Sequence, residues 1–337
     1  MRRTLSLLAI TTGTLCAQSV VVPNANATTL GTGQLNSIVR NAGNPRSYQC
    51  GINASELAGI PAGSVITGIS LRFMVFGSNS TSWPASDIVW NNYDIFVGPA
   101  APTAGWGADP SLNFSAPPQQ VRSGPMTLDA GSLVNLNIPA TPNPWSEFYF
   151  HFQTPYLYLG GDLAMLFSHP GSTDAAIAQY PETVVSNAAT YGVARVQSIY
   201  PAGTASTATT FYVMRIHYGY GAGCPGSSGT PVLVQNGNTT GGLGGNISLQ
   251  VGNAPATAIA VFALGFTSLS VPIGNGCTLL TTPDVLLLQI TDAKGRATQN
   301  FPVPPGAIGS FFAQAGILDA TAPGGLTVSN GVSPTAN

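Results

Sequence analysis

Between residues 64 and 76 the side chains repeat with a period of two: Val65, Thr67, Ile69, Leu71, Phe73 and Val75 fall on one face, and Ile66, Ser70, Arg72 and Met74 on the other. Such alternation belongs to a strand, because successive Cβ atoms leave a pleated backbone on opposite sides. The same signal marks strands at 93–97, 133–138, 147–153, 162–168 and 211–218, and no segment keeps a helical period over three turns. The best short helix is Ala54 to Leu57, after Asn53. Between the strands lie Gly98-Pro99-Ala100-Ala101-Pro102, Ala116-Pro117-Pro118 and Pro139-Ala140-Thr141-Pro142-Asn143-Pro144. Proline there removes ladder donors and fixes φ, so these segments read as turns. The pattern predicts an all-β, antiparallel chain.

The composition shifts at Tyr218-Gly219-Tyr220-Gly221-Ala222-Gly223-Cys224-Pro225-Gly226, which is the expected boundary between a domain at 28–218 and a smaller one at 222–337. Beyond it apolar stretches recur at 230–235, 246–251, 257–264, 284–290 and about 310–318. The run Ala256 to Val271 is shorter than a membrane span and holds Gly265, Thr267, Ser268 and Ser270, so it reads as two buried strands joined near Gly265. Asp292-Ala293-Lys294-Gly295, between Val285 to Ile290 and Thr298 to Val303, reads as a hairpin loop with glycine in the left-handed position.

Only 7% of the 337 residues are charged, against about 25% in an ordinary globular domain. Lys294 is the single lysine, and a surface that neutralises a run of phosphates needs clustered cations, so nucleic acid is excluded as a partner. Met1-Arg2-Arg3 followed by the apolar stretch Leu5 to Leu15 has the form of a secretory signal peptide; cleavage is expected after Ala17, directly behind the apolar run, with the later Ala25-Asn26-Ala27 as the alternative. Leu15 stands where lipoprotein processing needs a small residue, so Cys16 is expected to leave with residues 1–17. Removing Arg2 and Arg3 takes the formal net charge from −2 to −4. The mature chain is expected to be secreted or held at the cell surface, with no membrane span and no covalent sorting tail at Val332-Ser333-Pro334-Thr335-Ala336-Asn337.

Export implies an oxidising environment, where a cysteine pair should bridge. Cys224 and Cys277 both sit in Gly-rich turns of the same half and are the expected disulfide, which leaves Cys50 as either an intermolecular attachment point or a buried small residue. No Cys-x-x-Cys or histidine pair at ligand spacing suggests zinc.

Residues 222 to 332 resemble a C-terminal domain of secreted proteins of unknown function from planctomycete-type bacteria. The resemblance lies in Gly221-Ala222-Gly223-Cys224-Pro225-Gly226, Pro231-Val232-Leu233, Ala258 to Gly265, Gly276-Cys277-Thr278-Leu279, Lys294-Gly295-Arg296-Ala297, Gly309-Ser310-Phe311-Phe312-Ala313-Gln314, Asp319 and Ser329-Asn330-Gly331. Residues 28 to 218 are similar to the jelly-roll-like domain that precedes it in such proteins, through Ile66-Thr67-Gly68-Ile69-Ser70-Leu71-Arg72-Phe73 and Phe148 to Leu163. The resemblance implies two consecutive β-sandwiches, the first jelly-roll-like, and supplies no catalytic residues.

No reaction can be read from the motifs. Gly226-Ser227-Ser228-Gly229 is not a nucleophile elbow. His151 and His217 lie in strand patterns and read as structural imidazoles, while His169, in Ser168-His169-Pro170-Gly171, is the histidine expected to be exposed. The carboxylates, among them Glu56, Glu147 and Glu182, form no pair that spacing selects for glycoside cleavage. Asp87, Asp94, Asp109, Asp162 and Asp174 could offer oxygens to calcium, but none forms an Asp-x-Asp-x-Asp loop, and turn-capping is the preferred reading. Trp83, in Ser82-Trp83-Pro84, and Trp106, in Gly105-Trp106-Gly107, sit among loop residues. Exposed, they would stack on sugar rings; otherwise they plug the end of a sandwich. The leading expectation is a non-catalytic extracellular or cell-surface structural or adhesion protein, with envelope proteins or polysaccharide as partners. A carbohydrate-binding module using Trp83 and Trp106 is the alternative, and a secreted hydrolase with an unrecognised carboxylate site comes third.

Overall fold

Alternating strands bury one face only by pairing into sheets, and the chain does this twice. The computed structural model describes residues 18–76, 79–145, 148–175, 179–239, 245–307 and 309–336; residues 1–17, with Cys16 and the expected signal peptide, and Glu147 lie outside them. In the first half the main strands are β1 (Ser19–Val22), β2 (Arg46–Ile52), β3 (Val65–Leu71), β4 (Asp94–Pro99), β5 (Gln119–Arg122), β6 (Tyr149–Leu157), β7 (Leu163–His169), β8 (Gly192–Gln197), β9 (Thr207–Ala208) and β10 (Met214–Gly219). They form two antiparallel sheets, ordered β1-β10-β3-β6 and β9-β8-β2-β7-β4-β5. Ile69, Phe150 and Ile216 of the first sheet share one buried cluster with Ile52, Val97 and Phe167 of the second. Residues 54–57 form a 3-10 turn, as expected.

Two expectations for this half change. β1 pairs with β10 from Ser19 opposite His217 to Val22 opposite Met214, so the sheet begins at residue 19 rather than 28. The period of two in residues 64–76 does not run unbroken. Register against β10 shifts between His217 and Tyr218, and against β6 between His151 and Tyr156, leaving Thr67 without an opposite number on β3. The bulge re-aims the strand, so Ile66 joins Ile69 and Leu71 in the core, where simple alternation would set it on the other face.

The second half contains β11 (Val232–Thr239), β12 (Gly245–Gly252), β13 (Ile259–Gly265), β14 (Ser268–Gly274), β15 (Cys277–Thr281), β16 (Val285–Ile290), β17 (Ala297–Val303), β18 (Phe312–Leu318) and β19 (Leu326–Val328). They are ordered β11-β12-β17, β16-β13-β18-β19 and β14-β15. Leu233, Ile247, Leu249, Phe262 and Ile317 belong to a second core, distinct from the first. The run 256–271 divides into β13 and β14 after Gly265, as its glycine and serines imply. The segment Asp292 to Gly295 is not a hairpin. β16 pairs with β13 and β17 with β12, so the turn carries the chain from one sheet to the other. The turn closes through Gly295 N–H donating to Asp292 O at 3.0 Å, with Gly295 at φ 71°.

Cys224 and Cys277 are disulfide-bonded, 53 residues apart, and join the entry of the second half to β15. Cys50 is fully buried in β2, and burial pushes its thiol up to about 12, which makes it an inert core side chain. Closing a loop of this length contributes about 4 kcal/mol in the chain-entropy account. The Cys224→Ala/Cys277→Ala double variant should therefore lose stability of that order, read as a lower midpoint in urea; an unchanged midpoint would show that the bridge constrains nothing the fold does not already hold.

Candidate functional site between the two halves

β10, β3 and β6 place His217, Gly68 and His151 in one row across three strands, with Arg215, Ser70 and Tyr149 in the next. These side chains are on the sheet face turned away from the first core, where an isolated sandwich meets water. Here the second half covers them. His151 and His217 are 7% and 1% exposed. Arg215 Nη1 donates to Asn236 Oδ1 of β11 at 2.6 Å, and Asn253 Nδ2 donates to Phe152 O at 2.7 Å. Thr230 N–H donates to Gln153 O at 3.0 Å. Gly252 lies against the His151 ring so closely that an added Cβ would stand 2.6 Å from it. The guanidinium groups of Arg72 and Arg215 both lie over the Trp145 ring, 5.1 and 4.6 Å from its centroid. Arg72 is itself buried and bonded to the buried Glu182 at 2.8 Å.

The turn between β16 and β17 closes one side of the contact. Lys294 Nζ pairs with Asp87 at 2.6 Å and with Asp129, while Arg296 pairs with Asp129 and with Asp292 at 2.9 Å. Asp87 and Asp129 belong to the first half, so the chain's single lysine is used to latch the halves together. The hydrogen bond from Lys294 holds the Asp87 carboxyl below its usual range.

Beside this latch the halves leave a cavity of about 350 Å3, lined in part by Arg122, Tyr149, His151, Gln153, Gln250 and Asn253. Arg122, at the end of β5, donates through Nη1 to His151 O at 3.2 Å and through Nη2 to Pro125 O at 2.6 Å. Burial lowers its guanidinium to about 10. Burial, reinforced by Arg122 and Arg296, lowers the His151 imidazole to about 3.

The side chains singled out in the sequence do not converge on this cavity. Trp106 is 5% exposed, its Nε1 donates to Ala101 O at 3.0 Å, and its indole packs over Gly51, where an added Cβ would lie 2.4 Å away. It is a plug on the outer side of the six-stranded sheet and offers no open face to a sugar. Trp83 is half-buried against Phe73, with ring centroids 6.1 Å apart, and pairs with Leu133. His169 is also not an exposed loop residue. It ends β7 at 1% exposure, stacks on Tyr93, donates from Nε2 to Ser37 O at 2.9 Å and accepts at Nδ1 from Gly171 N–H at 3.0 Å. Those partners specify the neutral ring, and burial lowers it to about 4.

The five candidate calcium aspartates are scattered. Asp109 caps Ser111, Asp162 accepts from Ala54 N–H, and Asp94 binds Gln120, Ser123 and Tyr200. Asp174 accepts at its main-chain oxygen from Ala42 N–H, and no group of three or more His, Cys, Asp or Glu that could hold a metal occurs among the described residues. Arg122 and Gln250 drew no attention in the sequence. The available signal was a strand cation with no acidic residue nearby, in a chain with very few charges.

The chain matches no family model and no curated protein sequence. Among solved structures it is similar to a putative β-galactosidase from Bacteroides fragilis, at 8% identity over 91% of this chain and 35% of that one, with a TM-score of 0.18. It is also similar to a calcium-binding mutant of Bacteroides uniformis β-glucuronidase 2, at 9% identity over 90% and 28%, with a TM-score of 0.18. A third is a Bifidobacterium dentium β-glucuronidase complexed with coumarin-3-O-glucuronide, at 10% identity over 80% and 39%, with a TM-score of 0.19. The chain thus spans about a third of the length of these structures. At such scores the likeness carries no argument about activity.

Two outcomes are expected from these buried groups. His151 and His169 stay neutral in the fold but would protonate near 6.5 when unfolded, so their contribution to stability is whole above pH 6.5 and is lost progressively toward about 3 and 4. Urea unfolding should show stability falling as pH drops below 6.5, with a shallower fall in His169→Gln; an equal slope in that variant would remove His169 from the account. Gly252→Ala should destabilise by about 1–3 kcal/mol, because the methyl must displace the His151 ring. Unchanged thermal unfolding would mean the halves part easily.

Proposed function

We propose that this is a non-catalytic exported protein of extracellular or cell-surface structure and adhesion, akin to the secreted two-domain β proteins its sequence resembles. It acts by associating with a second copy of itself. The observation that carries this reading is an uncovered apolar sheet face in the second half. Leu286, Leu288 and Ile290 of β16 are 58%, 70% and 70% exposed, beside Ile259 of β13 at 43% and Leu318 of β18 at 52%. Ile259 is opposite Ile290 and Val261 opposite Leu288, so these side chains form one continuous patch rather than scattered exposures. Part of the same face is already covered: Gln314, opposite Ala263, accepts at Oε1 from Leu280 N–H and donates to Thr278 O, which seats the β14-β15 hairpin there.

β16 is also the edge of its sheet. Sheet edges are ordinarily protected by charge or proline, and Val-Leu-Leu-Leu-Gln-Ile has neither. An antiparallel, two-fold pairing of β16 with its copy, centred on Leu288, sets Leu286 against Ile290, since residues opposite each other in a sheet share a face. It brings no like charges together within the strand, continues the sheet and joins the two apolar patches side by side into one surface. No helix among the described residues is long and apolar enough to cross a membrane.

Carbohydrate recognition is the second reading. Its support moves from the two tryptophans to the polar cavity between the halves.

Light scattering coupled to size exclusion of the purified chain should show a concentration-dependent dimer, and Leu288→Asp should give a monomer with an unchanged melting temperature. A wild-type chain that stays monomeric at all concentrations would overturn the association.

A further inference from the structure

The cavity between the halves is polar in a particular way. Arg122 Nε, His151 Nε2 and Gln250 Oε1 are all buried and have no hydrogen-bond partner among the described residues. All three residues line the cavity. His151 and Gln250 are both more than nine-tenths buried, and Gln250 is held from the other side by Nε2 donating to Thr298 Oγ1 at 3.3 Å. A buried polar atom without a partner forfeits its hydration and gains nothing in return, and these three face a space large enough to hold a partner. The charges differ as well. Lys294 and Arg296 on the rim are matched by Asp87, Asp129 and Asp292, whereas Arg122 has no carboxylate partner among the described residues.

From this arrangement we propose that the cavity is a binding site for a small hydroxylated carboxylate, of the sugar-acid class. The ligand carboxylate pairs with the Arg122 guanidinium, whose two other nitrogens are anchored to main-chain oxygens of His151 and Pro125 and so hold the group in place. A ligand hydroxyl donates to Gln250 Oε1, and a second meets His151 Nε2, which as part of a neutral ring is free to donate or accept. Tyr149 and Phe148 supply apolar wall. A volume of about 350 Å3 is at the small end of ligand pockets, suited to one sugar ring and not to a lengthy chain. The ligand is gripped by β5 and β6 on one side and β12 on the other, so its binding tightens the contact between the halves. This inference rests on the carbohydrate-binding reading and is independent of the association face.

Titration calorimetry of the full chain with galacturonate, galactose, acetate and sulfate tests it. Galacturonate should bind saturably, about tenfold or more tighter than galactose or acetate, and Arg122→Gln should remove that preference. Gln250→Leu, which leaves the charge in place, should weaken galacturonate toward the affinity of acetate; it decides the matter if Arg122→Gln does not fold. Sulfate bound as tightly as galacturonate, or galacturonate binding untouched by both substitutions, would overturn the proposal. Galactose bound as tightly as galacturonate would overturn the acid specificity while leaving carbohydrate recognition standing, and no binding by any of the four would remove both. A galacturonate trimer that matches the monomer would identify a chain end as the source of the ligand, and one that fails to bind would identify the free sugar acid.

Discussion

The structure turns on covering one polar sheet face. β10, β3 and β6 present His217, Ser70, Arg215, Tyr149 and His151 away from the first core, and the second half buries them. Polar groups taken from water must find partners, and this requirement organises the contact: Ser70 Oγ is 2.9 Å from His217 Nε2, Arg215 reaches Asn236, and Asn253 bridges Phe152 O and Thr230 O. Gly68 lies between the two imidazoles in the register, and Gly252 takes the His151 ring without clash. The halves are therefore fitted to each other through directional bonds and close approach, and their two apolar cores stay separate.

Scarcity of charge makes each ion's place informative. In a chain with 10 basic and 12 acidic residues, Lys294 and Arg296 are both committed to the latch, and Arg72 with Glu182 to a buried pair. Buried pairs of this kind add little net stability but are costly to break from one side, so they hold a chosen arrangement more than they drive folding. Arg122, like Arg40, Arg46, Arg195 and Arg215, has no carboxylate partner among the described residues, and what distinguishes it is the cavity it lines. The exposed apolar sheet face shows the opposite economy: β16 has no charge at all, and the β14-β15 hairpin covers the part of that face it reaches through Gln314.

Much of this was legible in the sequence, because strand formation is local. Alternation and turn residues mark most of the strands, the split of 256–271 at Gly265, and the Cys224–Cys277 bridge, since period, turn chemistry and cysteine placement are all written along the chain. Failures come where a residue's role depends on a partner far away in sequence. The bulge at Thr67 requires the registers of β6 and β10, and the turn at Asp292 to Gly295 looked like a hairpin because its two strands are sequential, although they belong to different sheets.

The sequence by itself determined that the chain is all-β, where it turns, and which cysteines meet, since these follow from backbone geometry and side-chain period over a few residues. Only the tertiary structure decided which surfaces remain for function. Trp106 lost its candidacy because Gly51, 55 residues away, leaves room for its indole, and His169 because Ser37 and Tyr93 enclose it. The cavity around Arg122 and the bare face of β16 exist only where separate sheets meet or fail to meet. Burial is a property of the assembled surface, and no local pattern encodes it.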